Sequence, residues 1–154
     1  MANCTIYEAD LDGMWSISFD DIAEKALNES VPILEGTMRS AAAASIKHSG
    51  DSEMVNSIKG SKPKKSASTD CWIVNVGPRG YSTTKKYHAK RKSGKSEKTY
   101  KVSNALKAIW KEYGIPGKNQ PAQPFMQKAT NAAQGRIERI IEDAFNEEIK
   151  DYEL

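Results

Sequence analysis

Four scattered residues, Cys4, His48, Cys71 and His88, are the first to weigh for metal or nucleophilic chemistry. Zinc needs four ligands at close quarters, usually in pairs of short spacing. These four stand singly, so their spacing builds no zinc site. A Cys71–His88 nucleophile pair would need an orienting third group and an electropositive pocket. Cys71 is more simply a small apolar residue on a strand. Gly94-Lys95-Ser96 ends like a phosphate-binding loop, but that motif requires glycine where Ala89 stands, and a buried apolar strand where Lys90 to Ser93 run. Gly77-Pro78-Arg79-Gly80 is turn punctuation without the G-x-G-x-x-G pattern. Most carboxylates fall on the polar faces of predicted helices, where solvation is the ordinary role. No catalytic constellation emerges; the expectation is a non-enzyme with no cofactor and no metal.

The one chemically suggestive cluster is basic. Lys85, Lys86, Lys90, Arg91, Lys92, Lys95 and Lys98 share a short segment with Tyr87 and Tyr100. Cations neutralise phosphates and aromatic rings stack on unpaired bases. A solvated loop explains the same residues as well, and an acidic protein face would suit them as well as DNA. Charge along the chain is strongly segregated. Residues 1–58 carry a net −7, residues 59–101 a net +11 and residues 102–154 a net −1, so the overall +3 conceals the pattern. Such a block attracts acidic partners, and salt screens it.

The 154 residues suit a single domain, 1–154, and the 38% hydrophobic and 28% charged content is that of a water-soluble fold. No apolar run approaches the roughly 20 residues that span a bilayer, so no membrane partner is expected. Met1 to Thr5 has neither a basic start nor an apolar stretch, so no secretory signal and synthesis in a cytoplasm are expected, with both cysteines reduced.

Residues 18–47 have helical periodicity. Ser18 is placed to cap the start, Asp20 and Asp21 suit the first turn, and Ile22, Ala26 and Leu27 share a stripe. Pro32 interrupts the pattern, leaving one kinked helix or two abutting ones. The alanines 41–44 favour helix and permit close approach of a neighbour. Asp51 or Ser52 can cap a short helix bearing Met54, Val55 and Ile58. Residues 59–69 are a polar, basic loop or an exposed turn between strands. Residues 70–76 alternate as a strand, with Trp72, Val74 and Val76 on one face, and Gly77-Pro78 stops it.

The basic stretch 81–101 has a hairpin tip at Ser93-Gly94 and weak strand signals near 83–89 and 97–102. Residues 103–113 are ambiguous; Ser103 could cap a helix bearing Leu106, Ile109, Trp110 and Tyr113, ended by Gly114. After a Pro/Gly/Asn loop, Pro124 suits the first turn of a long C-terminal helix. Its stripe runs from Phe125 through Ala129, Ile137, Ile140, Ile141 and Phe145 to Ile149. The expected fold is α+β: a small antiparallel sheet packed with a long N-terminal and a long C-terminal helix, preceded by an arm over 1–17.

Three motifs in order carry a resemblance. Ser49-Gly50-Asp51-Ser52-Glu53-Met54-Val55-Asn56-Ser57-Ile58 resembles a "Thr-Gly-Asp-Leu-x-x-Ser-Ile" signature. Val76-Gly77-Pro78 looks like a strand-ending "Val-Gly-Pro". Glu112-Tyr113-Gly114 followed by Pro121-Ala122-Gln123-Pro124-Phe125 is similar to "Glu-Phe-Gly … Pro-Ala-x-Pro-Phe". These signatures belong to the tail-component family of long-tailed bacteriophages, the small head–tail joining or tail-completion proteins of the neck. The likeness spans about Ala23 to Tyr152; residues 81–105 are longer and more basic than the family's segment, and residues 1–17 have no counterpart in it. The resemblance implies a virion protein made in a bacterial cytoplasm. Its copies would form a homo-oligomeric ring beside head-completion and tail-tube or tail-terminator proteins, with DNA passing through the lumen. The alternative is a nucleic-acid-binding module using 85–101. In the family reading Gly50, Asp51, Gly77, Pro78, Gly114, Pro121, Pro124 and Phe125 are structural devices, with Phe125 anchoring the last helix on the sheet.

Overall fold

A computed structural model describes residues 18–45, 52–69, 71–91 and 94–150 of the chain. Two long helices form its frame. Helix α1 (Phe19–Ser45) is one continuous helix with Pro32 inside it, which removes the alternative of two abutting helices. Pro32 lies on the exposed side, and its missing N–H leaves one carbonyl of the preceding turn without its helical donor. Ser18 caps the start as expected, its Oγ accepting from the Asp21 N–H at 3.3 Å.

A short helix α2 (Ser52–Asn56) follows. Then come β1 (Ile58–Gly60), β2 (Lys64–Lys65), β3 (Trp72–Ile73) and β4 (Val76–Pro78). Strand β1 pairs antiparallel with β4, and β2 with β3, as two sections of one irregular hairpin. The break between sections is bridged by Ser61, whose N–H donates to Asn75 O at 2.8 Å and whose Oγ accepts from the Asn75 N–H at 3.0 Å.

Three expectations are corrected in this region. Ile58 belongs to a strand and not to the short helix, because its fully buried side chain completes the core from the sheet side. The strand expected over 70–76 is interrupted at Val74-Asn75; Asp70 lies outside the described residues. Gly77-Pro78 does not stop a strand but forms one, with Gly77 opposite Lys59 and Pro78 opposite Ile58. Strand β4 has β1 on one side only, so a residue lacking an N–H is tolerated there.

Strands β5 (Tyr81–Arg91) and β6 (Gly94–Ser103) pair as a long two-stranded ribbon, with a register shift between Ser82 and Lys85. Helix α3 (Asn104–Tyr113) begins where β6 ends. A short turn of 3₁₀ helix, Pro116–Lys118, leads on to α4 (Phe125–Lys150). The α+β class is as expected, although the sheet is three separate two-stranded pieces.

Helices α1 and α4 run antiparallel, as the two core clusters require. One joins Met38 and Ala42 of α1 to Phe125 and Ala129 of α4, with Met54, Val55, Ile58 and Ala108 around them. The other joins Ile22 and Ala26 to Ala144 at the far end. Phe125, Met54 and Ile58 are the largest fully buried side chains. Phe125 is therefore anchored mainly among helices, where the sequence suggested the sheet; its burial contributes about 1.5–3 kcal/mol. Gly135 sits on the exposed face of α4 with open space around it and marks no helix crossing.

Candidate interaction surface

Helix α3 is held by its polar face. Asn104 opens it, donating its backbone N–H to Gly80 O at 3.0 Å and its Nδ2 to Arg79 O at 2.8 Å. Ser103 occupies the N-cap position but makes no capping hydrogen bond, so Asn104 fixes this end instead. Near the other end, buried Glu112 receives the N–H of Met126 on Oε2 at 2.8 Å and that of Gln127 on Oε1 at 3.1 Å. Both donors are orphan amides of the first turn of α4, and a carboxylate there also meets the positive end of the helix dipole. Lys111, also buried, places Nζ 3.5 Å from Ser45 O, the last residue of α1.

Gly114 completes the joint. Its φ is +75°, and a Cβ there would lie 2.6 Å from Gln120 O and 2.8 Å from Ala122 N. The position needs glycine twice over, for its dihedral and for its space. Ile115 and Gln120 then pair across the intervening turn, and the Gln123 N–H donates to Lys111 O at 2.7 Å. Pro121 is exposed in this return path, and Pro124 stands directly before α4, its carbonyl accepting from the Lys128 N–H.

With Asn104, Ala108, Lys111 and Glu112 facing inward, the opposite face of α3 points outward. That face carries Leu106, Ile109, Trp110 and Tyr113, all exposed, Tyr113 at 75% and Ile109 at 48%. The spacing is i, i+3, i+4, i+7, one continuous apolar stripe. Exposed Tyr81 lies beside the start of α3, opposite Ser103 in the ribbon register. The amphipathic pattern gives the helix but not which side it buries. The missed signal is Glu112, an acid two residues before the glycine of a loop that returns to a helix start.

The basic residues singled out by the sequence fall on the ribbon's backbone. Lys85, Lys86, Lys90 and Arg91 are on β5, and Lys95 and Lys98 are on β6, with Lys90 opposite Lys95 in register. Arg91 pairs with Gly94 at the ends of the two strands; Lys92 and Ser93, and with them the expected tip at Ser93-Gly94, lie outside the described residues, as do Gly50 and Asp51. His88 is on β5; Cys4 and His48 are outside the described residues. Cys71 is an exposed free thiol. Among the described residues no three His, Cys, Asp or Glu side chains are grouped to hold a metal ion. No described helix is long and apolar enough to cross a membrane.

A second exposed apolar patch lies at the other end of the long helices. Phe19 of α1 stacks on Phe145 of α4, ring centroids 6.2 Å apart, and exposed Ile141 stands one helical turn from Phe145. Lys25 bridges to Glu147 at 2.8 Å across the same helix pair. That contact lowers the affinity of Glu147 for its proton and raises that of Lys25. Nearby, Asp20 accepts from Lys65 Nζ at 2.8 Å and from the Trp72 indole N–H at 2.8 Å, fastening the outer hairpin to the start of α1. These hydrogen bonds, from Lys65 first and Trp72 second, hold the Asp20 carboxyl below the ordinary carboxylate range. A surface hollow of 370 Å³ on this stretch of α4 is lined by Asp143, Asn146, Glu147, Ile149 and Lys150, all from one helix.

No family model, curated protein or solved structure matches the chain.

Proposed function

We propose that this chain is a structural protein of the neck of a long-tailed bacteriophage, joining head to tail as one of several copies in a ring, without enzymatic chemistry. The observation that carries the contact role is the outward stripe Leu106, Ile109, Trp110 and Tyr113, an apolar surface that a water-exposed helix would not ordinarily present. The order of the three motifs supports the neck as the place of action. Glu112 to Phe125 serves as the joint between α3 and α4, consistent with a scaffold whose output is contact. In this reading the protein is made in the bacterial cytoplasm and ends in the virion, beside head-completion and tail-tube or tail-terminator proteins. The test is to interrupt the coding sequence in the phage genome that carries it and image the lysate. Filled heads and free tails in place of joined particles are expected; normal joined particles would refute the proposal.

The β5–β6 ribbon favours a second reading, a nucleic-acid-binding module using 85–101. A two-stranded ribbon fits the width of a DNA major groove, and its net charge is strongly positive. That reading requires DNA affinity that falls steeply with salt.

A further inference from the structure

We infer that the outward face of α3 is the docking site for a second copy of this chain, which it receives by that copy's Phe19–Phe145 end. The inference rests on the ring reading above and names the surfaces that would build the ring. Both patches are apolar, and they sit at opposite ends of the frame. Lys111 ties α3 to Ser45, the last residue of α1, whereas Phe19 is its first. The 27 residues of α1 separate the two by roughly 40 Å at 1.5 Å per residue. One chain cannot bring its own two patches together.

Charge decides how they pair. Around α3 the described charges are basic: Arg79 and Lys101 are exposed beside its start and Lys107 lies on the helix itself, while its one acid, Glu112, is buried against the start of α4. The Phe19–Phe145 end has the opposite character. Asp20, Asp21 and Glu24 follow Phe19 on α1, and Glu142 and Glu148 stand three residues either side of Phe145, as neighbours on the helix surface. Against the 7 acids of 18–25 and 140–150 stand Lys25 and Lys150 from the same segments and Lys65, which pairs with Asp20, so the end stays acidic. Docking α3 on α3, or one Phe end on another, would set like charges face to face. Docking α3 on the Phe end matches both sign and hydrophobicity. Such a contact is heterologous, leaves one free face at each end, and repeats until a ring closes. Trp110 and Tyr113 are the residue types that anchor interfaces of this kind.

The experiment uses the full chain and sedimentation velocity. Variant one is I109S/W110S; variant two is F19S/F145S. All four side chains are exposed; wild-type helix content by circular dichroism and a cooperative melt check that each variant folds, with a somewhat lower midpoint expected for F19S/F145S, which loses its ring stack. The wild type should associate more strongly as salt is lowered. Each variant should raise the dissociation constant at least about 30-fold. The two mixed in equal amounts should form a one-to-one dimer and nothing larger, since each retains the face that the other lacks. A mixture that stays monomeric overturns the inference. So does a wild type that is monomeric up to about 1 mM, or variants that assemble like the wild type. Loss of association on deleting 1–17 alone also overturns it, by making the arm the occupant. The neck proposal fails separately, on joined particles formed when the coding sequence is interrupted.

Discussion

Glu112 and Gly114 show how two neighbouring residues can orient a helix they do not dominate by size. Glu112 satisfies two amides at the start of α4 from a buried position. Replacing it with alanine leaves both amides without that acceptor and should cost about 1–3 kcal/mol in urea unfolding, whereas glutamine should retain part of the stability. Gly114→Ala forces a Cβ against the Gln120 carbonyl at a positive φ. It should destabilise by at least about 1 kcal/mol, and a wild-type midpoint would show that this turn relaxes freely. Glycine at 114 was legible in the sequence as an element end. The reach of Glu112 across to residues 126 and 127 was not, because a capping carboxylate on a different helix leaves no local spacing to read. Arg39 is a similar case. Its guanidinium donates to Ile58 O at 2.6 Å while Glu35 accepts from the Gly60 N–H, so one turn of α1 holds β1 from the side. Gly60 faces Val31 so closely that a side chain there would collide with it.

At the scale of elements, the outer hairpin and the ribbon behave differently. Strands β2 and β3 are two residues each, and Asp20 is what fastens them to α1 through Lys65 and Trp72. The carboxyl of Asp20 has its pKa lowered in the folded protein. Its stabilising effect is therefore full above the ordinary carboxylate range and is lost as pH falls through the depressed folded value. Acidification should release the Trp72 indole N–H, seen as a shift of its proton resonance, before the helix signal in circular dichroism falls. Asp20→Asn should remove that pH step; a step unchanged in this variant would exclude Asp20 as its origin. The long helices were legible from 3.6-residue periodicity, which survives local exceptions such as Pro32. The strands were less so. Residues 70–76 alternate in sequence as one strand, yet the pairing is interrupted where Ser61 bonds Asn75 across the hairpin. Strand pairing is non-local, and alternation cannot announce where a partner turns away.

For the whole molecule, the charge blocks of the sequence become distinct places. The basic block lies largely in the hairpins and the acidic residues 20–24 lie at the start of α1. On the neck proposal, changing Lys90, Arg91, Lys92 and Lys95 together to Ser should leave thermal stability nearly unchanged and lower the yield of joined phage particles. An unchanged infectious yield would remove any functional role for the cluster. The candidate site was only partly visible beforehand. The cations stood out by composition and the apolar residues of α3 by spacing. That the latter face outward depends on Asn104, Lys111 and Glu112 being used inside, which only the folded chain displays.

The seam between the long helices has a further consequence. Its middle is lined by Ser30 and Ala133, small side chains between a well-filled cluster around Phe125 and a slight one around Ala144. Cohesion along the pair is thus lopsided: the Phe125 end has the larger core, while the Phe19 end is held by the small Ile22, Ala26 and Ala144 cluster, a ring stack and an exposed ion pair. A free molecule would breathe at that loose end, and a neighbour seated there would still it. If copies dock as inferred, each arrival would steady the less well filled end of the one before it.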